Sequence, residues 1–135
     1  GKKFIVESIF DFEFVDIYVS MCVSQGCGHD LAIGLLHDLA GDDSYTCHGL
    51  SQAAGNANGI GILMDDAGND AYSVRDPVNT HGYGNLRRDY GSVGIFLDCA
   101  GTDSYSGRGS DGTWWSGSVH GVGVDAVTEE GGGAE

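Results

Sequence analysis

One spacing constrains this chain more than any other feature. Asp11, Asp38, Asp65, Asp98 and Asp125 follow one another at intervals of 27, 27, 33 and 27 residues. Three residues after the aspartate come Phe14, Gly41, Gly68, Gly101 and Thr128. Five after it come Asp16, Asp43, Asp70, Asp103 and Glu130, and seven after it Tyr18, Tyr45, Tyr72, Tyr105 and Gly132. Four of the six tyrosines share one register. The unit is D-x-x-G-x-D-x-Y, clear in "DLAGDDSY", "DDAGNDAY" and "DCAGTDSY" and degraded at both ends. The segments before each aspartate, "IGLLHD", "IGILMD", "VGIFLD" and "HGVGVD", are short, apolar and carry Gly at minus four. They read as buried strands.

A period of this length, with short strands separated by Gly, Asn and Asp turns, points to an all-β fold: a β-solenoid of about 27-residue coils. Successive coils then stack at about 4.8 Å, and equivalent residues form columns. The competing architecture is a β-sandwich or propeller-like array of hairpins. The 24 glycines against one proline fit turns and strands rather than helix. The organisation is 1–24 as a degenerate first repeat or short N-terminal capping segment, with a helix as one possibility. Residues 25–125 are the repeats, with an outward insertion at 77–91, and 126–135 an acidic Gly-rich tail. Gln25 and Gln52 share a place fourteen after the first aspartate.

The formal charge is −14, from 20 acidic against 6 basic residues, and 15 of the acids are Asp. That excludes a nucleic-acid surface, which needs a basic stripe, and no apolar run is long enough to span a bilayer as a helix. It fits cation binding. Columns of carboxylates at about 4.8 Å repel one another, and a hard divalent ion with oxygen ligands relieves that repulsion. The candidate Ca²⁺ ligands are Asp38, Asp43, Asp65, Asp70, Asp98 and Asp103, lying along one edge with Asp42 and Asp66 beside them. The alternative is that each motif is only a corner. Asp then accepts a turn N–H, Gly supplies the positive φ, and Tyr packs inward.

"AGDDSYT", "AGNDAYS" and "AGTDSYS" resemble the second half of the calcium-binding nonapeptide of RTX β-roll proteins. Gly41, Gly68 and Gly101 match its later Gly, and Asp43, Asp70 and Asp103 its Asp. The first Gly pair is missing, and the motif comes once per coil rather than every nine residues. Over roughly residues 25–125 the pattern G-x-G-I-L-x-D-x-x-G-x-D-x-Y is similar to long, exported bacterial repeat proteins that carry no assigned activity.

Other features are weaker. No C-x-x-C, P-loop, G-x-S-x-G or H-E-x-x-H is present, so no catalytic motif is found. Cys22 and Cys27 are read either as a local disulfide or, with Cys47 and Cys99, as free thiols. His29, His37, His48, His81 and His120 are turn or surface residues, with His37 and His48 a remote metal pair. Trp114 and Trp115, beside Asp111 and outside the register, are candidates for stacking on sugars, with one of the two facing the core. The expectation is therefore a calcium-stabilised, extracellular structural or adhesive module without enzymatic activity. A secreted sugar-binding or carbohydrate-active domain and an end-to-end stacking subunit are the alternatives; its partners would be other copies, glycans or a surface.

Overall fold

The computed structural model describes the backbone of residues 5–8 and all of residues 15–87 and 89–127. Asp11, Phe14 and the tail from 128 onward lie outside the described residues. In chain order the strands are β1 (Ile5–Ser8), β2 (Ile17–Val19), β3 (Gly28–His29), β4 (Ile33–Asp38), β5 (Ser44–Cys47), β6 (Gly55–Asn56), β7 (Ile60–Asp65), β8 (Ala71–Val74), β9 (Gly84–Asn85), β10 (Val93–Asp98), β11 (Ser104–Ser106), β12 (Trp114–Ser118) and β13 (Gly121–Asp125). The described residues contain no helix.

These strands build a β-solenoid of about four coils. One side is the sheet β1-β4-β7-β10-β13-β12, the second β11-β8-β5-β2 and the third β3-β6-β9. Within them every pairing is parallel and in register except the last, where β12 runs antiparallel to β13. Asp38 faces Asp65, Asp65 faces Asp98, and Asp98 faces Asp125. Tyr18, Tyr45, Tyr72 and Tyr105 align in the second sheet. Within 1–24, read as a degenerate first repeat or a capping segment, the described residues include two strands that pair into the coils, β1 with β4 and β2 with β5. The pairing Ile5 with Gly34 is a spacing of 29 (34 − 5), against 27 for Tyr18 with Tyr45. The 27-residue alignment therefore begins after β1, not with it.

Strand parity explains the core. Along β4 and β7 every second residue is buried: Gly34, Leu36 and Asp38, then Gly61, Leu63 and Asp65. Leu36, Leu63 and Phe96 fill the interior against the tyrosine rings. Tyr18, Tyr45 and Tyr72 stack with centroids 4.7 and 4.9 Å apart, and Tyr105 continues the column at 4.9 Å. The minus-four glycines stand where the first and third sheets cross. A Cβ at Gly34 would lie 2.2 Å from the Cys27 carbonyl oxygen, and one at Gly61 2.3 Å from that of Ala54. The plus-three glycines serve a second close contact. A Cβ at Gly68 would lie 1.7 Å from the Gly41 oxygen, and one at Gly101 1.7 Å from the Gly68 oxygen; Gly41 and Gly101 also have φ near 150°, where side chains are strained.

The insertion is not one outward bulge. Leu50, Gln52 and Gly55 correspond to Asn79, His81 and Gly84, a spacing of 29, whereas Ile60 faces Val93 at 33. Two extra residues thus enter near Pro77 and four between Asn85 and Val93. His81 takes the inward place that Gln25 and Gln52 hold in the earlier coils, and burial lowers its pKa to about 4, so it is neutral. At the C-terminal end Trp115 closes the ring column. It lies 5.6 Å from both Phe96 and Tyr105, and its indole N–H donates to the His81 carbonyl at 2.9 Å.

Candidate metal centre

The motif aspartates do not line a surface edge. Asp38, Asp65 and Asp98 end their strands on the same parity as Leu36, Leu63 and Phe96, and so point into the solenoid. All six expected ligands, Asp38, Asp43, Asp65, Asp70, Asp98 and Asp103, are buried, none more than 8% exposed. The sequence reading placed them in columns along one edge; here the turn at that edge is packed between coils, with the carboxylates buried.

Each carboxylate has a repeated place in a hydrogen-bond ladder. The first aspartate of a motif accepts the N–H two residues on at Oδ1, from Ala40, Ala67 and Ala100 at 3.3 Å each. Its Oδ2 accepts the tyrosine hydroxyl of the preceding coil. Tyr18 donates to Asp38 at 2.6 Å, Tyr45 to Asp65 at 2.7 Å, Tyr72 to Asp98 at 2.7 Å and Tyr105 to Asp125 at 2.6 Å. The second aspartate caps the coil before it: Oδ1 of Asp43, Asp70 and Asp103 accepts the N–H of Asp16, Asp43 and Asp70, each at 2.6 Å. The corner reading of the motif is therefore correct for one oxygen of each carboxylate.

It does not account for the other. Oδ2 of Asp43, Asp70 and Asp103 is buried with no hydrogen-bond partner. A buried polar atom left unpaired costs about 1–3 kcal/mol, and more when charged. The residues that carry them sit among others of their kind. Asp16, Asp38 and Asp43 form one group in which one carboxylate oxygen from each lies within 4.8 Å of the others; Asp43, Asp65 and Asp70 form the next, and Asp70, Asp98 and Asp103 the third. Burial and the neighbouring carboxylates raise the pKa of Asp43 to about 7, Asp98 to about 8 and Asp103 to about 6. Burial likewise pushes Asp70 to about 9 and raises Asp65. The charged neighbours that act most strongly on Asp43, Asp70, Asp98 and Asp103 are other aspartates. Such a row needs protons or cations.

The other sequence candidates fall elsewhere. Asp42 accepts the Asn69 backbone N–H at 2.8 Å, and Asp66 meets His37 Nε2 at 3.0 Å, so neither joins the ladder. His37 and His48 form no metal pair, and His48 instead lines a surface cavity of about 470 Å³ with Cys22, Arg75 and Asp76. All four cysteines are free, Cys27 and Cys47 buried and Cys22 and Cys99 exposed. The tryptophan pair is split: Trp114 is exposed and Trp115 packs in the core, so the two do not form one stacking platform. Three members of the ladder were missing from the expected ligand set. Asp16 and Asp125 stand in the register and were legible; Asp111, with no register to mark it, was not.

Among the described residues no helix is long and apolar enough to cross a membrane. The chain matches no protein-family model, no curated protein and no solved structure.

Proposed function

We propose that this chain is a non-enzymatic structural repeat module, extracellular and adhesive in role, whose interior aspartate ladder is stabilised by Ca²⁺. The observation that carries the reading is the set of buried, unpartnered Oδ2 atoms of Asp43, Asp70 and Asp103. Two oxygens bound to one Ca²⁺ at about 2.4 Å can stand at most about 4.8 Å apart, and each group offers one oxygen from each of three carboxylates within that span. Ca²⁺ accepts irregular geometry from turn carbonyls. Ca²⁺ also relieves the self-repulsion of a chain with a formal charge of −14. A compartment rich in calcium would keep the array folded, and its regular, buried carboxylates favour scaffold over catalysis, which needs two acids in contrasting environments. The sugar-binding alternative loses its paired platform with Trp115 in the core, and β12, laid antiparallel against β13, covers the edge on which end-to-end stacking at that end would depend.

The test is a melting curve of chelator-stripped protein with and without Ca²⁺, alongside equilibrium dialysis. An ion bound at a hundredfold excess over Kd adds about 2.7 kcal/mol per site, a rise of several degrees or more. No bound Ca²⁺ and an unchanged melting curve would leave the aspartates as corner residues alone.

A further inference from the structure

The ladder extends past Asp103 to a residue outside the repeat register. Residues 107–113 lead from β11 to β12, and Asp111, eight residues after Asp103, accepts the Asp103 N–H at Oδ1 at 2.7 Å. That is the bond that the second aspartate of each following coil makes to the coil before it. Asp111 thus makes, for Asp103, the bond that the second aspartate of the next coil makes elsewhere. The same loop ties down Asp125: the Gly112 N–H donates to its Oδ1 at 2.8 Å, the Tyr105 hydroxyl to its Oδ2 at 2.6 Å, and the Asp125 N–H donates to the Thr113 carbonyl at 2.8 Å.

Resting on the calcium reading above, we propose that Asp103, Asp111 and Asp125 form a fourth, terminal cation site, in which a ligand from outside the repeat closes the metal row and ties the C-terminal cap to it. Their carboxylate oxygens lie within 4.8 Å of one another, the spacing of the three inner groups. The independent observation is Asp103 itself, nine-tenths buried, which belongs to this group and whose Oδ2 has no partner. The chemistry is that of a hard divalent ion held by three carboxylates. Asp43, Asp70 and Asp103 are each shared by two adjacent groups, so nine aspartates serve four ions. Eight positive charges then face nine negative ones, close to neutrality within the dry interior.

The experiment counts ions. Chelator-stripped protein is dialysed against excess Ca²⁺, and bound metal per chain is measured with the fold checked by circular dichroism. Wild type should hold four. Asp111→Asn keeps an oxygen to accept the Asp103 N–H but removes the charge, and should hold three. Asp89→Asn, on an exposed loop, should hold four. An Asp111→Asn variant that still binds as many ions as wild type overturns the terminal site while leaving the inner row intact. Should that variant fail to fold, the wild-type count decides, because three ions or fewer overturns it too. Wild type that binds none overturns both the terminal site and the calcium reading, so the two failures are told apart.

Discussion

Asp70→Asn should stabilise the metal-free protein far more than the metal-bound one. Asp70 has one oxygen engaged with the Asp43 N–H and one without a partner, and it belongs to two adjacent groups. In cation-free protein burial holds its carboxyl protonated up to about pH 9. The unfolded counterpart ionises near 3.9, so at pH 7.5 retaining that proton costs the fold up to about 5 kcal/mol, and at pH 5 about 1.5 kcal/mol. Asparagine accepts the same N–H and has no proton to retain. Asp70→Asn should therefore stabilise the chelated protein at pH 7.5 by a few kcal/mol. At about 4 °C per kcal/mol for a chain of this size, that is a rise in Tm on the order of 10 °C, shrinking to a few degrees at pH 5. With Ca²⁺ saturating, the same substitution weakens two sites at once. A tenfold loss at each costs about 1.4 kcal/mol, roughly 11 °C in all, which offsets the gain made in the metal-free protein, so Tm should stay close to that of wild type. The assay is thermal unfolding followed by circular dichroism, in chelator and in millimolar Ca²⁺, at both pH values. A variant that shifts Tm by the same amount and sign with and without metal would refute the argument that the Asp70 charge is there for a cation.

Three further outcomes follow from the ladder. Tyr72→Phe keeps the ring stack but strips Asp98 Oδ2 of its donor at 2.7 Å; it should cost about 1–3 kcal/mol in denaturant unfolding, and a loss under about 0.5 kcal/mol would mean that the hydroxyl is not part of the ladder. Gly68→Ala puts a Cβ 1.7 Å from the Gly41 oxygen, a backbone atom that cannot move without separating the coils; it should cost about 3 kcal/mol or more, read from the urea midpoint, with an unaffected midpoint as the contrary result. Stability of cation-free protein should fall as pH rises. Asp103, Asp43, Asp98 and Asp70 retain protons to about 6, 7, 8 and 9, so between about pH 4 and 9 the native state binds more protons than the unfolded chain. Each extra proton contributes a slope of about −1.4 kcal/mol per pH unit. Urea midpoints at pH 5 and 8.5 check this, and a higher midpoint at 8.5 in chelator would contradict it.

Much of this architecture was legible because a solenoid writes its columns into the sequence. The 27-residue interval gave the coil, the tyrosines the stack, and six aspartates two rows of the ladder. Where those aspartates point was also written there, in the alternation of Gly34, Leu36 and Asp38, which puts the first aspartate on the buried face of its strand. The insertion misled because two residues near Pro77 and four after Asn85 sum to one gap in any alignment. Asp111 was invisible for a different reason. It acts from the loop between β11 and β12, and the eight-residue return from Asp103 has no period to betray it.

The choice of side chain at the second motif position points past hydrogen bonding. Asp43, Asp70, Asp103 and Asp111 each satisfy one backbone N–H of the preceding turn. Asparagine would do the same with a neutral carboxamide, and the chain places one next door, where Asn69 accepts the Thr102 N–H at 3.0 Å through its side-chain oxygen. An aspartate in that place adds nothing to the corner and brings a second oxygen that finds no donor, at a cost that grows with each like neighbour. Three such residues in one column, Asp43, Asp70 and Asp103, make the corner alone an insufficient reason for the acid. A cation between neighbouring coils gives the idle oxygen a partner and turns the repulsion along the column into shared ligation. It makes the stacking of coils, rather than the fold of any one of them, the thing that the metal stabilises.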